Sequence, residues 1–266
     1  PAICAGEQLL ALAYMEDSRH DPHRVSTRAE PTGSGYRITG KKIFVLDGHV
    51  ADQLIVLART AGERGDRDGL TLFLVDSRAP GLSVTRTLMV DSRNAALVEF
   101  ESVEVDRSQI VGQLDRATGL LGPVLDRATI GLCAEMLGSI QEAFDRTVSY
   151  LKEREQFGVP IGSFQALKHR AAEMFCEIEL ARSTVLEALR AVDADRPDLP
   201  EIASHAKSRC SDTFILVGNE AVQMYGGIGM TDEEEIGFFL KRARVAEQTF
   251  GDAAYHRDRF ASLRGY

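Results

Sequence analysis

Basic residues are in short supply in this chain. Thirty-one lysines and arginines stand against 40 aspartates and glutamates, a net charge of −9. A nucleic-acid partner calls for a basic face, so that class is excluded. Long apolar runs are missing too. None approaches the roughly 18 residues that a membrane span needs, so no membrane segment is expected. No secretory leader is visible. The chain opens on Pro1 without a methionine, as a fragment that has lost a native targeting segment would. Cysteine is sparse: Cys4, Cys133, Cys176 and Cys210 lie far apart with no CxxC spacing. Cys133, Cys176 and Cys210 fall on apolar helix faces, so reduced core thiols of a cytoplasmic protein are expected. The six histidines do not cluster, so no metal site is expected. Internal repeats and low-complexity tracts are absent.

What is present is ordinary globular composition, 44% hydrophobic and 27% charged, in a length that fits one large domain or two smaller ones. The first part reads as β. Short apolar runs, Tyr36 to Ile38, Ile43 to Leu46, Leu54 to Leu57, Leu70 to Val75, Leu82 to Val84 and Ala96 to Val105, are separated by glycine and proline breaks. That punctuation predicts an antiparallel barrel or sandwich. Residues 16–32 read as a polar, mobile connection. From about residue 116 the apolar period changes to three and four. Ile130 to Leu151, Phe164 to Val192 and Ile202 to Met224 predict three long amphipathic helices. A fourth is expected from about Arg242 to Leu263, broken near Gly251. The fold class is therefore α+β: a β-domain over residues 1–115, then a four-helix bundle over 116–266. The helices carry more apolar faces than one bundle core needs, which predicts an oligomer.

Two stretches carry the chemistry. In Tyr150 to Arg170, Gly158 fits the C′ position of a helix end and Ser163 fits an N-cap. One reading is a plain helix hairpin. The other brings Arg154, Gln156, Phe157 and Gln165 together, an arginine fork for a phosphate and an aromatic for a flat ring. In Gln223 to Met230, QMYGGIGM, the glycines either cap a helix or leave amides open to an anion. Asp232 to Glu235 read as a solvated helix start, and Arg242 and Arg244 as salt-bridge partners or contacts for an acyl-CoA or a partner chain.

Taken together these stretches resemble the acyl-CoA dehydrogenase family. The resemblance is carried by Arg154-Glu155-Gln156-Phe157-Gly158 with Phe164-Gln165, by Gln223 to Gly229, and by Gly40-Lys41-Lys42-Ile43-Phe44. Pro80-Gly81 and Val111-Gly112 also fall where the family has them. It covers the family's middle and C-terminal domains and lacks the N-terminal helical one. It implies an FAD enzyme built as a dimer of dimers, acting on an acyl-CoA and passing electrons to an electron-transfer flavoprotein-like acceptor. It also implies that Arg154, Gln156, Phe157, Gln165, Gln223, Gly226 and Gly227 hold the ADP half of a neighbouring subunit's FAD. The family's proton-abstracting glutamate falls on Gly251, with Asp252 beside it; the alternative base position falls near Ala128, with Asp126 the nearby acid. Two flavin-facing threonines become Met15 and Leu46. The expected arrangement is a chain of a hetero-oligomer whose partner supplies the glutamate. The alternatives are a homotetramer with Asp252 as base, a related flavin oxidase or hydroxylase, and a non-catalytic subunit.

Overall fold

The computed structural model describes residues 2–266 and divides into two compact units, the first ending at Pro123 and the second running Val124–Tyr266. The first unit opens with a short helix α1 (Ala2–Ala5) and holds eight strands: β1 (Leu10–Ala13), β2 (Arg28–Pro31), β3 (Gly35–Leu46), β4 (Gln53–Arg59), β5 (Leu70–Asp76), β6 (Leu82–Leu88), β7 (Asn94–Asp106) and β8 (Ile110–Val111). They form one sheet in the order β6-β7-β3-β2-β4-β5-β8, with β1 on β4. Its apolar face gathers residues at alternate positions, among them Ile38, Leu54, Val56, Phe73, Val98 and Val103. Two expectations need correction. The path is open, not a closed barrel. It is also not purely antiparallel, because β1 and β2 both pair with β4 in parallel. In addition, β2 lies inside the stretch expected to be a mobile connection.

Gly40 shows why the β3 sequence is as it is. Its φ is 150°, and a side chain there would place Cβ 2.6 Å from the Thr27 Cα. The register slips at Gly40 and again before Val45, where Phe44 takes φ 51°. These bulges bend the strand.

The helical elements are α2 (Ala117–Glu153), α3 (Gln165–Asp193), α4 (Leu199–Tyr225), α5 (Ile236–Gln248) and α6 (Ala253–Leu263). The last two are the expected broken fourth helix, although α5 starts six residues before the expected Arg242. The core of the second unit draws on the predicted helical faces: Ile130, Cys133 and Ile140; Met174, Ile178 and Val185; Ala206, Cys210 and Val217. Cys133 and Cys210 are buried, but Cys176 is exposed, against expectation. Of the cationic pair, Arg242 binds Glu135 at 2.8 Å and Arg244 stands 3.9 Å from Glu247. Glu235 ends the acidic run and pairs with Arg146 at 2.7 Å. Among the described residues no helix is long and apolar enough to cross a membrane.

Candidate functional site

The turn after α2 is tighter than its sequence suggests. The helix stops at Glu153, and β9 (Glu155–Gln156) pairs back on β10 (Val159–Pro160) in a two-residue hairpin. Phe157 and Gly158 form its tip, with φ values of 57° and 79°, the geometry of a type I′ turn. Gly158 is therefore a hairpin residue, not a helix C′. Ser163 does not cap α3; Phe164 precedes the helix, and no side chain caps it.

This hairpin presents its chemistry outward. Phe157 is 92% exposed, in a conformation that a bulky residue rarely takes. Its ring meets Phe164 edge-on at 6.1 Å. Among the described residues no partner holds the Arg154 side chain; its backbone is fixed by Arg154 N to Tyr150 O and Ile161 N to Arg154 O, both 2.8 Å. Gln156 and Gln165 are exposed, the first with Nε2 on the Glu155 carbonyl at 2.9 Å.

The glycine loop follows α4. Gly226 has φ 68° and ψ −140°, a region open essentially to glycine alone. Nothing stands within 4 Å of where side chains at Gly226 and Gly227 would begin, whereas one at Gly229 would strike the Val222 carbonyl at 2.8 Å. The loop thus has two bare glycines on its outer side and one forced by close packing. Gln223 is exposed on the last turn of α4.

The two stretches are joined through aromatic side chains. Tyr150, one turn before Arg154, stacks on Tyr225 at 4.1 Å and 12°. Tyr150 Oη donates to the Tyr225 carbonyl (3.3 Å) and Tyr225 Oη to the Arg146 carbonyl (3.2 Å). Arg170 of α3 pairs with Glu220 of α4. The end of α2, the start of α3 and the end of α4 are thereby held at one place, with the predicted cofactor-binding residues on them.

A second place is the turn between α5 and α6. Phe250 and Gly251 both have positive φ, 60° and 103°. A side chain at Gly251 would begin 2.5 Å from Tyr255 Cδ1 and 3.2 Å from His256 Nε2. The position is therefore closed to a side chain by backbone and by neighbours. Asp252 is the N-cap of α6, its Oδ1 accepting from Tyr255 N at 2.8 Å. Asp126 is buried, with Oδ1 2.7 Å from Arg259 Nη1 and Oδ2 3.1 Å from Nη2.

In the sheet unit, Met15 is buried and Leu46 half-buried. Neither offers a hydrogen bond. Next to Met15, Glu16 accepts from Lys42 Nζ at 2.6 Å and from the amides of Ser26 (2.6 Å) and Thr27 (3.0 Å). Burial drives the Lys42 ammonium down to about 8, against the pull of Glu16. Burial also pushes the Glu16 carboxyl up, but Lys42 and these donors together hold it below its ordinary value.

A unit of strands is followed by long helices, with the arginine-aromatic hairpin and the glycine loop gathered at one end of those helices. The chain belongs to the acyl-CoA dehydrogenase family: residues 122–262 match its C-terminal domain and residues 15–103 its middle domain. It is 33% identical to the bovine (Bos taurus) short/branched chain specific acyl-CoA dehydrogenase over 85% of this chain and 52% of that protein. It is 32% identical to a probable acyl-CoA dehydrogenase, YngJ, of Bacillus subtilis over 96% of this chain and 68% of that one. The solved butyryl-CoA dehydrogenase of Megasphaera elsdenii superposes with a TM-score of 0.91 at 27% identity, covering 99% of this chain and 70% of that one. The chain thus spans about half the length of the bovine relative.

Proposed function

We propose that this chain works in an FAD-dependent acyl-CoA dehydrogenase that desaturates an acyl-CoA thioester between its α and β carbons, and that it lends the ADP half of an FAD site to a neighbouring subunit. The observation that carries this reading is the outward-facing hairpin: an almost fully exposed Phe157 in a strained conformation, beside an Arg154 without a partner among the described residues. The left-handed backbone costs of order 1–3 kcal/mol, and the exposed ring adds apolar surface that a ligand would remove from water. The donor set fits the group. The Arg154 guanidinium matches a diphosphate, the bare Gly226 and Gly227 leave amides approachable, and Phe157 with Phe164 offers a face for adenine. Gln156, Gln165 and Gln223 add amide donors at the rim. Bound there, FAD would supply the hydride acceptor.

The base stands on another chain in this reading, because Gly251 cannot carry one. The assembly in this reading is a dimer of dimers that pairs this chain with a second kind of subunit; a tetramer of this chain alone belongs to the Asp252 reading below. Its electrons pass to an electron-transfer flavoprotein-like acceptor. The four free cysteines favour a reducing, cytoplasmic setting. A visible spectrum of the purified chain, alone and with its partner, is the test. About one FAD per pair, with a colourless isolated chain, is the expected result; one FAD per isolated chain overturns the shared site.

A second reading makes Asp252 the base of a self-sufficient tetramer. It is favoured by the cap geometry: Oδ1 is fixed by the Tyr255 amide, while Oδ2 has no hydrogen-bond partner among the described residues. Asp252→Asn with undiminished turnover removes Asp252 from the mechanism.

A further inference from the structure

The carbonyls around the α5–α6 turn are held from beneath. Lys207, buried on α4, places Nζ 2.9 Å from the Glu247 carbonyl, 2.7 Å from the Gly251 carbonyl and 3.2 Å from Ser211 Oγ. His256 Nε2 donates to the Phe250 carbonyl at 2.9 Å. All three oxygens that Lys207 touches are neutral. An ammonium buried without a touching carboxylate is unfavourable, and burial drives it down to about 8. A methionine would fill the same space without that cost.

We infer that Lys207 is a positioning residue for this turn: by drawing the Glu247 and Gly251 carbonyls inward it sets where the Asp252 carboxylate stands. The inference rests on the second reading above, in which Asp252 takes the α-proton. A trans peptide is planar, so fixing the Gly251 carbonyl also fixes the direction of the Asp252 N–H. The two residues before Asp252 have positive φ, and the three inward bonds offset the strain of that path. With Lys207 gone, two buried carbonyls lose their donor, and the turn can relax away from the geometry that a short carboxylate needs for reach.

The test uses the FAD-loaded protein with Lys207→Met, Lys207→Gln and Asp252→Asn, each confirmed folded by circular dichroism. Two quantities are read: amide exchange at Tyr255, which reports the cap bond to Asp252, and the kcat and KM for an acyl-CoA. Lys207→Met is expected to speed exchange at Tyr255 at least tenfold while α2 and α3 stay protected. It is also expected to lower kcat by about 100-fold, the scale of a 1 Å misplacement, with KM little changed. Lys207→Gln, which keeps a donor without the charge, is expected to recover most of both. Unchanged Tyr255 exchange in Lys207→Met overturns the inference whatever the turnover. Full turnover in Asp252→Asn overturns the Asp252 reading, and faster exchange in Lys207→Met then still supports Lys207 as the positioner of the turn.

Discussion

Gly251→Ala is the sharpest probe of the claim that this turn has no room for a side chain. The residue sits at φ 103°, and the new Cβ would stand 2.5 Å from Tyr255 Cδ1, 3.1 Å from Cε1 and 3.2 Å from His256 Nε2. The backbone conformation alone costs an L-residue roughly 1–2 kcal/mol. Crowding against the ring adds about 1–3 kcal/mol, because relief means moving Tyr255 off its place or breaking the His256 bond to the Phe250 carbonyl. The expected loss is therefore about 2–5 kcal/mol, read by urea unfolding at 222 nm, where the helical unit dominates. The two parts separate in a cycle with Tyr255→Ala: without the ring, the cost of Gly251→Ala should fall to about 1–2 kcal/mol. A single-variant loss below about 1 kcal/mol, or a strictly additive cycle, would refute the reasoning. The same steric block means that Gly251→Glu should fail to install a base, while Gly251→Glu with Tyr255→Ala gives the carboxylate its first chance to be accommodated.

Four further outcomes are expected. Lys207 is about 8 in the fold against an ordinary value near 10.4, so its burial penalty is full below pH 8 and is relieved as pH rises toward 10.4. The stability of the wild type relative to Lys207→Met should thus climb by up to roughly 3 kcal/mol between pH 8 and 10.4; a flat difference counts against it. Lys42→Met strands the buried Glu16 and should cost about 3–5 kcal/mol, most of it recovered by adding Glu16→Leu. Tyr225→Phe removes the bond to the Arg146 carbonyl and should cost about 1 kcal/mol. It should also weaken FAD retention through the glycine loop, as equilibrium dialysis would show. Phe157→Asn relieves a left-handed aromatic and should raise stability by several tenths of a kcal/mol, yet lower FAD affinity about tenfold if the ring covers adenine.

The helical half was legible because burial follows spacing. Ala203, Ala206, Cys210 and Val217 lie on one face of α4, and Lys207 shares that face four residues after Ala203 and three before Cys210. Lys207 was not among the residues expected to matter, although its spacing, a cation on an otherwise apolar stripe, was the signal that could have found it. The sheet was less legible. β2 buries only Ala29 of its four residues, so its strand character comes from neighbours on both sides and not from its own alternation. Its parallel pairing with β4, like that of β1, depends on contacts distant in sequence. The Glu16–Lys42 pair is separated by 26 residues and becomes a pair only once β3 has its register. The hairpin after α2 was misjudged for a local reason. A glycine after a helix normally ends it, but here Glu153 ends the helix and a phenylalanine, not an asparagine or aspartate, precedes the glycine in a turn that wants positive φ twice.

The two acids nearest the expected base positions are not equivalent, and α6 makes the difference. Asp126 is buried with both oxygens on the Arg259 guanidinium, 2.7 and 3.1 Å away. A carboxylate chelated in this way has its charge satisfied and its reach spent. Arg259 comes from α6, and the same helix is capped by Asp252 through a single oxygen. One helix therefore engages one acid completely and the other only by half. If a proton is taken by this chain at either place, it goes to Asp252 Oδ2. If Asp252→Asn leaves turnover intact, neither place in this chain supplies a free carboxylate, and the base has to come from outside the chain, as the shared-site proposal requires.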